Sequence, residues 1–374
     1  MPVMNILLVR LRLIGDVIFT TPAIRAVRRH YPNAQLDYLV EEEAVQAVDG
    51  NPHLDRVIVA ASPRARGRLR KDIALARTLR ARRYDLAIDF HGGPRSSLLT
   101  WLSGAPQRIG YKVKARGWMY TTTVPRPLFS RRCHSVQNQW ELLMPLRIAA
   151  PDPAIDSTEM TADPAAIAEI DRRLANAGVR LGDPVVVIHV SAGNPFRRWP
   201  AASFVDLVCR LIAADRGRRI ILTSGPSDRE AARQIADAAR ARLPEAGWGA
   251  VIHGEFNVAG LRALIDRAAL YIGGDSGPLH IASTTQTPIV GLYGPTLSLR
   301  SEPWRDPSLA TENVEVGPLP CRPCDQRRCE PGDFRCLSGI TAEAVAAGAE
   351  RAWTRAHASD SIPVVVDVER KDRR

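Results

Sequence analysis

Three stretches of this 374-residue chain place charged, hydroxyl and glycine residues where chemistry needs them. The first is Arg10-Leu11-Arg12-Leu13-Ile14-Gly15-Asp16, directly after the apolar run Asn5–Val9. Gly15 permits a tight backbone, and Asp16 falls where a helix begins. A carboxylate there serves as a helix N-cap, worth about 1 kcal/mol. It also serves as a general base if a substrate hydroxyl comes within hydrogen-bonding reach. The helix N-terminus, or pairing with Arg10 or Arg12, would weaken it in that second role. The second stretch is His189-Val190-Ser191-Ala192-Gly193-Asn194-Pro195-Phe196-Arg197-Arg198, at the end of another apolar run. Its backbone N–H groups, Gly193 included, and the Ser191 hydroxyl can cradle a phosphate. Arg197 or Arg198 can neutralise it with a bidentate fork. The third is Gly273-Gly274-Asp275-Ser276-Gly277-Pro278-Leu279-His280, followed by Gly294-Pro295-Thr296. The N–H groups of Ser276 and Gly277 would face an anion with a helix dipole behind them, Asp275 can accept from hydroxyls, and His280 lies one turn on. Two phosphate-friendly strand–turn–helix units in one half suit a nucleoside diphosphate. Neither G-x-x-x-x-G-K-[ST] nor G-x-G-x-x-G after the first strand occurs, which argues against a P-loop NTPase and the usual dinucleotide site.

A fourth cluster is Cys321-x2-Cys324-x4-Cys329-x6-Cys336. In a reducing compartment such spacing points to a metal or to redox-active thiols rather than a disulfide framework. A structural zinc or iron is one possibility and free or redox-active thiols the other, because the spacing departs from paired zinc-ribbon C-x2-C units. Cys133 and Cys209 stand alone and read as small buried hydrophobes.

The elements that position these residues alternate. Strands are expected at Asn5–Val9, Leu36–Val40, Arg56–Val59 and Leu86–Phe90. Helices are expected at Val17–His30, Arg68–Arg82 and Ser96–Ser103. Residues 151–163, rich in Pro and Asp, read as a linker. A second alternation follows, with strands at Val185–Val190, Arg219–Thr223, Ala250–His253, Leu270–Gly273 and Pro288–Tyr293. Its helices are Pro164–Ala177, Ala201–Ala214, Asp228–Arg242, Val258–Arg267 and Ser276–Thr284, with a terminal helix at Thr341–Thr354. This is an α/β chain of two doubly wound halves, with ligands expected in the cleft at the strands' carboxyl ends. The domains expected are 1–155 and 164–345, with the terminal helix to about 357 and a tail to 374 in which Pro363–Val366 could add an edge strand.

Composition narrows the class. A hydrophobic fraction of 45% and a charged fraction of 24% are globular values. The longest uncharged stretch, Ser276–Leu299, is broken by Gly and Pro and is no membrane span. The N-terminal apolar run is too short for a signal peptide, so the expected place is the cytoplasm. The net charge is +11. The first 150 residues hold 24 basic and 11 acidic groups, a net of +13, and the remaining 224 hold 27 and 29, a net of −2. The densest patch is Arg64, Arg66, Arg68, Arg70 and Lys71. It reads as a solvated surface or as the seat of an anionic partner such as a phosphorylated glycolipid, an anionic membrane or nucleic acid. No nucleic-acid-binding motif or stacking aromatic set accompanies the charge, and no nucleic-acid partner is expected.

The three motifs, with Phe90-His91-Gly92-Gly93-Pro94-Arg95 and Ile109-Gly110-Tyr111, resemble those of the ADP-heptose:lipopolysaccharide heptosyltransferases, glycosyltransferase family 9. They run through nearly the whole chain in order. The resemblance implies a GT-B fold: two Rossmann-like domains, the N-terminal one binding acceptor and the C-terminal one the ADP-sugar. It implies inverting transfer from ADP-heptose to the inner core of lipopolysaccharide, with no cofactor required for catalysis. Asp16 matches the general base, and Arg197 falls where the family often carries a lysine at the diphosphate. Ser191, Gly193, Arg198, Asp275, Ser276, Gly277 and His280 match the donor site, with Glu230 aligned to a ribose contact. Arg10, Arg12, Arg64, Arg66 and Arg95 would meet the anionic lipid A–Kdo/heptose acceptor, and the same basic half could dock on the cytoplasmic face of the inner membrane. A nucleotide-sugar epimerase on the same fold, a transferase of another nucleotide sugar and a nucleic-acid-binding protein are the rival readings.

Overall fold

The structure, a computed structural model, describes residues 3–126, 133–190 and 194–358. Ser191, Gly193 and the Pro363–Val366 segment lie outside the described residues. Six parallel strands make the first sheet: β1 (Asn5–Val9), β2 (Gln35–Glu41), β3 (Arg56–Ala60), β4 (Leu86–Asp89), β5 (Gln107–Lys112) and β6 (Thr122–Pro125), ordered β3-β2-β1-β4-β5-β6. The second repeats the plan with β7 (Val185–His189), β8 (Arg219–Thr223), β9 (Val251–Gly254), β10 (Leu270–Gly274), β11 (Ile289–Tyr293) and β12 (Thr311–Glu315), ordered β12-β11-β10-β7-β8-β9. In both halves the strand order reverses between the first and fourth strands, the crevice where doubly wound sheets bind ligands. Helices cover both faces, so the central strands are apolar throughout: Ile6 to Val9 and Val186 to Ile188 are fully buried.

The first half carries α1 (Ile14–Ile18), α2 (Thr21–His30), α3 (Arg68–Ala81), α4 (Pro94–Leu102) and α5 (Ser135–Trp140). The second carries α6 (Pro164–Asn176), α7 (Ala201–Ala214), α8 (Arg229–Arg242), α9 (Val258–Asp266), α10 (Gly277–Ala282), α11 (Ser298–Ser301), α12 (Arg335–Ser338) and α13 (Ala342–Ala358). The single helix expected over Val17–His30 is two. Pro22, lacking an N–H, takes a place in the first turn of α2 behind the cap residue Thr20. Asp16 therefore sits in the first turn of α1 and does not cap it; the cap position is Leu13, without a side-chain bond. β5, β6, β12, α5, α11 and α12 fall outside the elements expected from the sequence. Cys133 and Cys209 are half-buried rather than fully buried.

Residues 151–163 run between the halves and are tied to both. Asp156 pairs with Arg29 at 2.6 Å, and Glu159 pairs with Arg25 of α2. The Thr158 hydroxyl meets the Ser283 hydroxyl at 2.8 Å and donates to the Trp304 carbonyl at 2.8 Å. Above this strap α1 and α10 pack directly together. A Cβ built on Gly15 would lie 2.3 Å from His280 Cδ2, and one on Gly277 would touch Ile14 Cβ at 3.7 Å. The main apolar core is consequently continuous, running from Ile6, Val17 and Ile24 to Leu279, Ile281 and Tyr271. Gly15 is needed here for space. Gly15→Ala should destabilise the protein by about 1–3 kcal/mol, the usual result of overpacking a close contact. Thermal unfolding measures it; an unchanged midpoint would show that the halves separate without cost.

Candidate active site

A cleft of about 860 Å³ opens between the halves at the carboxyl ends of the strands. The first half contributes Arg12, Leu13, Ile14 and Gly15 after β1, with Glu43, Ser62 and Arg64 beyond β2 and β3. The second contributes His189, Asn194 and Arg197 after β7, Thr223 and Ser224 after β8, Phe256 and Asn257 after β9, and Asp275, Ser276 and Gly277 after β10. This size holds a nucleotide with a sugar attached.

The charged centre of the second half is Asp275. Its side chain is only 3% exposed and pairs with Arg197 Nη1 at 3.1 Å. Thr296 donates its hydroxyl to the same carboxylate oxygen, Oδ2, at 2.5 Å. Buried carboxylates persist when paired and hydrogen-bonded in this way. Oδ1, although buried, has no hydrogen-bond partner among the described residues; His280 Nε2 stands 3.8 Å away. An orphaned buried acceptor on the wall of an open cleft is placed to receive a ligand hydroxyl. Arg197 Nη1 also donates to the Asp275 backbone carbonyl at 3.0 Å, and Nε donates to Gln326 Oε1 at 2.8 Å. Arg197 is thus held as a fixed cation facing the cleft. Arg198 turns the other way and pairs with Asp228 at 3.0 Å. Of the two adjacent arginines, the cleft receives Arg197.

In the first half, Asp16 pairs with Arg10, whose Nη1 also donates to the Phe90 carbonyl at 2.8 Å. The Asp16 carboxylate is one-third exposed at 34%; it follows Gly15, the last residue of α1 to line the cleft, and does not itself line it. His280 packs against Gly15 and stands 3.8 Å from Asp275. Burial pushes its imidazole below the ordinary range, against the opposing pull of Asp275 and Asp16, so it stands neutral. His189 is buried beside Thr223, its Nδ1 2.9 Å from the hydroxyl, and burial brings its pKa down to about 4.

Among the other expected residues, Arg12 and Arg64 line the cleft, and Arg66 is exposed and does not line it. Arg95 is a framework residue. It meets Glu41 at 2.7 Å and Asp72 at 2.5 Å and donates to the Ala61 carbonyl, tying α4 to β2 and α3. Glu230 is also away from the cleft. It lies exposed in the first turn of α8, bonded to Arg233 at 2.6 Å and Gln234 at 2.9 Å, and the Arg233 bond brings its pKa down to about 2. Neither is among the residues that line the cleft.

Cys321, Cys324, Cys329 and Cys336 do come together, lining one cavity of about 300 Å³ beside Phe196 and Pro295. Burial raises the Cys336 thiol, and the three neighbouring sulfurs raise it further. Among the described residues, however, no three His, Cys, Asp or Glu side chains converge into a metal-holding set. The arrangement lends a zinc or iron no geometric support, and no step below uses it. Two residues not singled out from the sequence bear on these charged groups. Thr296 holds Asp275. His91 is brought down to about 4 by burial and by Arg10 and Arg12, and its Nδ1 has no partner among the described residues. Both were within recognised motifs, yet only the fold shows what they face.

Known proteins share this sequence pattern and this fold. The model of glycosyltransferase family 9 (heptosyltransferase) matches residues 73–332. Lipopolysaccharide heptosyltransferase 3 of Escherichia coli is 30% identical over 324 residues, 85% of this chain and 91% of that protein. Lipopolysaccharide heptosyltransferase 1 of Pseudomonas aeruginosa is 26% identical over 87% of each chain. Among solved structures, a family 9 glycosyl transferase from Veillonella parvula superposes with a TM-score of 0.80 at 22% identity, covering 94% of this chain and 98% of its own. The E. coli ADP-heptose lps heptosyltransferase II gives 0.73 at 18% identity, covering 94% and 99%.

The buried imidazoles set an acid limit. His91, His134 and His189 are each held near about 4 by burial, against about 6.5 in an unfolded chain. The unfolded state then binds more protons between those values, so stability is lost as pH falls through that window. The thermal midpoint should drop steadily from pH 7 to pH 5, and less so in His189→Gln. A midpoint constant across that range would show that the imidazoles are hydrated.

Proposed function

Because this chain belongs to glycosyltransferase family 9, the heptosyltransferases, it is a glycosyltransferase of the GT-B fold, and we propose that it transfers heptose from ADP-heptose to the inner core of lipopolysaccharide. The observation that carries the reading is the fixed Arg197–Asp275 pair on the cleft wall, with Asp16 of the other half close enough to act on the same buried ring, His280. The donor occupies the second half. Its diphosphate meets Arg197, which replaces the lysine the family often uses and offers a planar fork in place of a point charge. The N–H groups where β10 turns into α10 face the same anion, and Asp275 Oδ1 accepts from a sugar hydroxyl. Phe256 and Asn257 lie deeper in the same half and border the nucleoside.

The acceptor enters over the first half. Its Kdo carboxylates and phosphates are anionic, which suits Arg12 and Arg64 on the cleft wall, with Arg66 and Arg10 behind them. Asp16 takes a proton from the acceptor hydroxyl. The oxygen attacks the anomeric carbon from the face opposite the diphosphate, the glycosidic bond to ADP breaks, and the anomeric centre inverts. Arg197 balances the charge that develops on the leaving diphosphate, an electrostatic role that costs no reorganisation because the guanidinium is already held. A permanent cation in that position makes the transfer metal-independent in this reading.

The lipid of the acceptor lies in a membrane, and α3 offers a surface for it. Only Leu79 of its fourteen residues is buried. Leu69 and Ile73, one turn apart, are 73% and 45% exposed, and Arg66, Arg68, Arg70 and Lys71 surround them. No described helix is long and apolar enough to cross a membrane. A basic, partly apolar helix that rests on anionic lipid fits both facts. Binding to phosphatidylglycerol vesicles should weaken as salt rises and fall further in Arg70→Glu/Lys71→Glu. Vesicle binding insensitive to both would remove this face from the account.

The transfer itself is tested with ADP-heptose and Kdo-lipid A glycans by following ADP release. Asp16→Asn should lower kcat by about 10²–10⁴-fold, the usual contribution of a general base, with the donor KM nearly unchanged. Turnover of a UDP-sugar in preference would leave the fold and change the donor. Full activity in Asp16→Asn would sink the proposed base.

A further inference from the structure

The cysteine loop reaches into the donor site through one side chain. Gln326 stands between Cys324 and Cys329. Its Oε1 accepts from Arg197 Nε at 2.8 Å and from Asn194 Nδ2 at 2.8 Å. The backbone there is left-handed, with φ +58°. A non-glycine residue is uncommon in that region, and such positions persist only when the surroundings enforce them. The surroundings do so here. Cys324 N–H donates to the Pro295 carbonyl at 3.2 Å. Arg322, with 4% of its side chain exposed, pairs with Glu315 and donates to the carbonyls of Thr296 at 2.7 Å and Val316 at 3.0 Å. Thr296 is the residue that holds the Asp275 carboxylate. One anchored frame therefore grips both members of the Arg197–Asp275 pair.

We propose that Gln326 is a positioning residue for the transfer: its carboxamide oxygen fixes the plane of the Arg197 guanidinium, so that the fork meets the donor's diphosphate. A guanidinium has five N–H donors in a rigid plane. Nε is committed to Gln326, and Nη1 to the Asp275 carbonyl and carboxylate. Nη2 has no hydrogen-bond partner among the described residues, and Arg197 lines the cleft. Two anchor points on different nitrogens define a plane, whereas Nη1 alone would act as a pivot. Asn194 is steadied by the same oxygen and also accepts, through its Oδ1, from the Phe196 N–H at 3.0 Å, which holds the start of the turn carrying Arg197. Gln326 touches no substrate in this scheme. It acts through Arg197, and the proposal rests on the reading that Arg197 binds the diphosphate.

The test is a double-mutant cycle on the full chain, read as the Kd for ADP by calorimetry and as separate KM values for donor and acceptor. Gln326→Met keeps the side-chain length and removes the acceptor oxygen. It should weaken ADP by about tenfold, in line with loss of a hydrogen bond to a charged group. It should also raise the donor KM, leaving the acceptor KM and the thermal midpoint in place. The double variant Gln326→Met/Arg197→Ala should bind ADP no more weakly than Arg197→Ala alone. Gln326→Asn, one methylene too short to reach Nε, should repeat the single-variant result and guards against misfolding of the first. Undiminished ADP binding in both Gln326 variants, or losses that add in the double variant, overturns the proposal. Failure of the underlying reading is seen separately, because Arg197→Ala alone would then bind ADP as the wild type does.

Discussion

The site depends on how closely two short helices approach. Gly15 of α1 lies against the imidazole of His280 in α10, where the space for a Cβ is already filled, and Ile14 packs on Gly277. Both helices follow a central strand at the point where its sheet reverses order, so each helix start is by construction a cleft wall. Pressing the two starts together seals the apolar core from one half to the other. It also brings Asp16, the next residue after Gly15, near the ring that Asp275 faces. The charge environment of His280 records the result, since Asp275, Asp16 and Arg197 all act on that one buried ring.

Burying Asp275 is expensive, and its surroundings show how the expense is met. A carboxylate out of water needs a counter-charge and donors. Arg197 supplies the first and Thr296 the second, both on Oδ2. The other oxygen is left for a ligand, which is a cost in the empty protein and an advantage on binding. Arg197 is itself shared: in the proposed complex its outward nitrogen would meet the ligand while the inward ones hold it still. Preorganised charge of this kind stabilises a leaving diphosphate without waiting for side chains to rearrange.

Much of the architecture was legible because fully buried parallel strands leave an unbroken apolar signature. Asn5–Val9, Val185–His189 and Ile289–Tyr293 show it clearly. The strands that were missed, Gln107–Lys112, Thr122–Pro125 and Thr311–Glu315, lie toward sheet edges and carry polar residues on faces that only pairing protects. At the site, glycine, hydroxyl and acidic residues after strands pointed to Arg197 and Asp275, which the fold brings to the cleft. Glu230 and Arg95, singled out on the same residue types, do not line it and are held by other side chains. For Glu230 the warning was local, since Arg233 and Gln234 at the i+3 and i+4 positions form a surface cluster. For Arg95 it was not, because Glu41 and Asp72 lie 54 and 23 residues away. Gln326 is 129 residues from Arg197, and no spacing rule links a glutamine to an arginine at that distance.

The central claim divides the cleft: donor on the second half, proton acceptor on the first. It is tested most directly by calorimetric titration of ADP into the wild type, Asp275→Ala and Asp16→Asn. The division predicts ADP binding that is clearly weakened in Asp275→Ala and unchanged in Asp16→Asn. Weakening in Asp16→Asn with none in Asp275→Ala would place the nucleotide on the opposite wall and contradict the account.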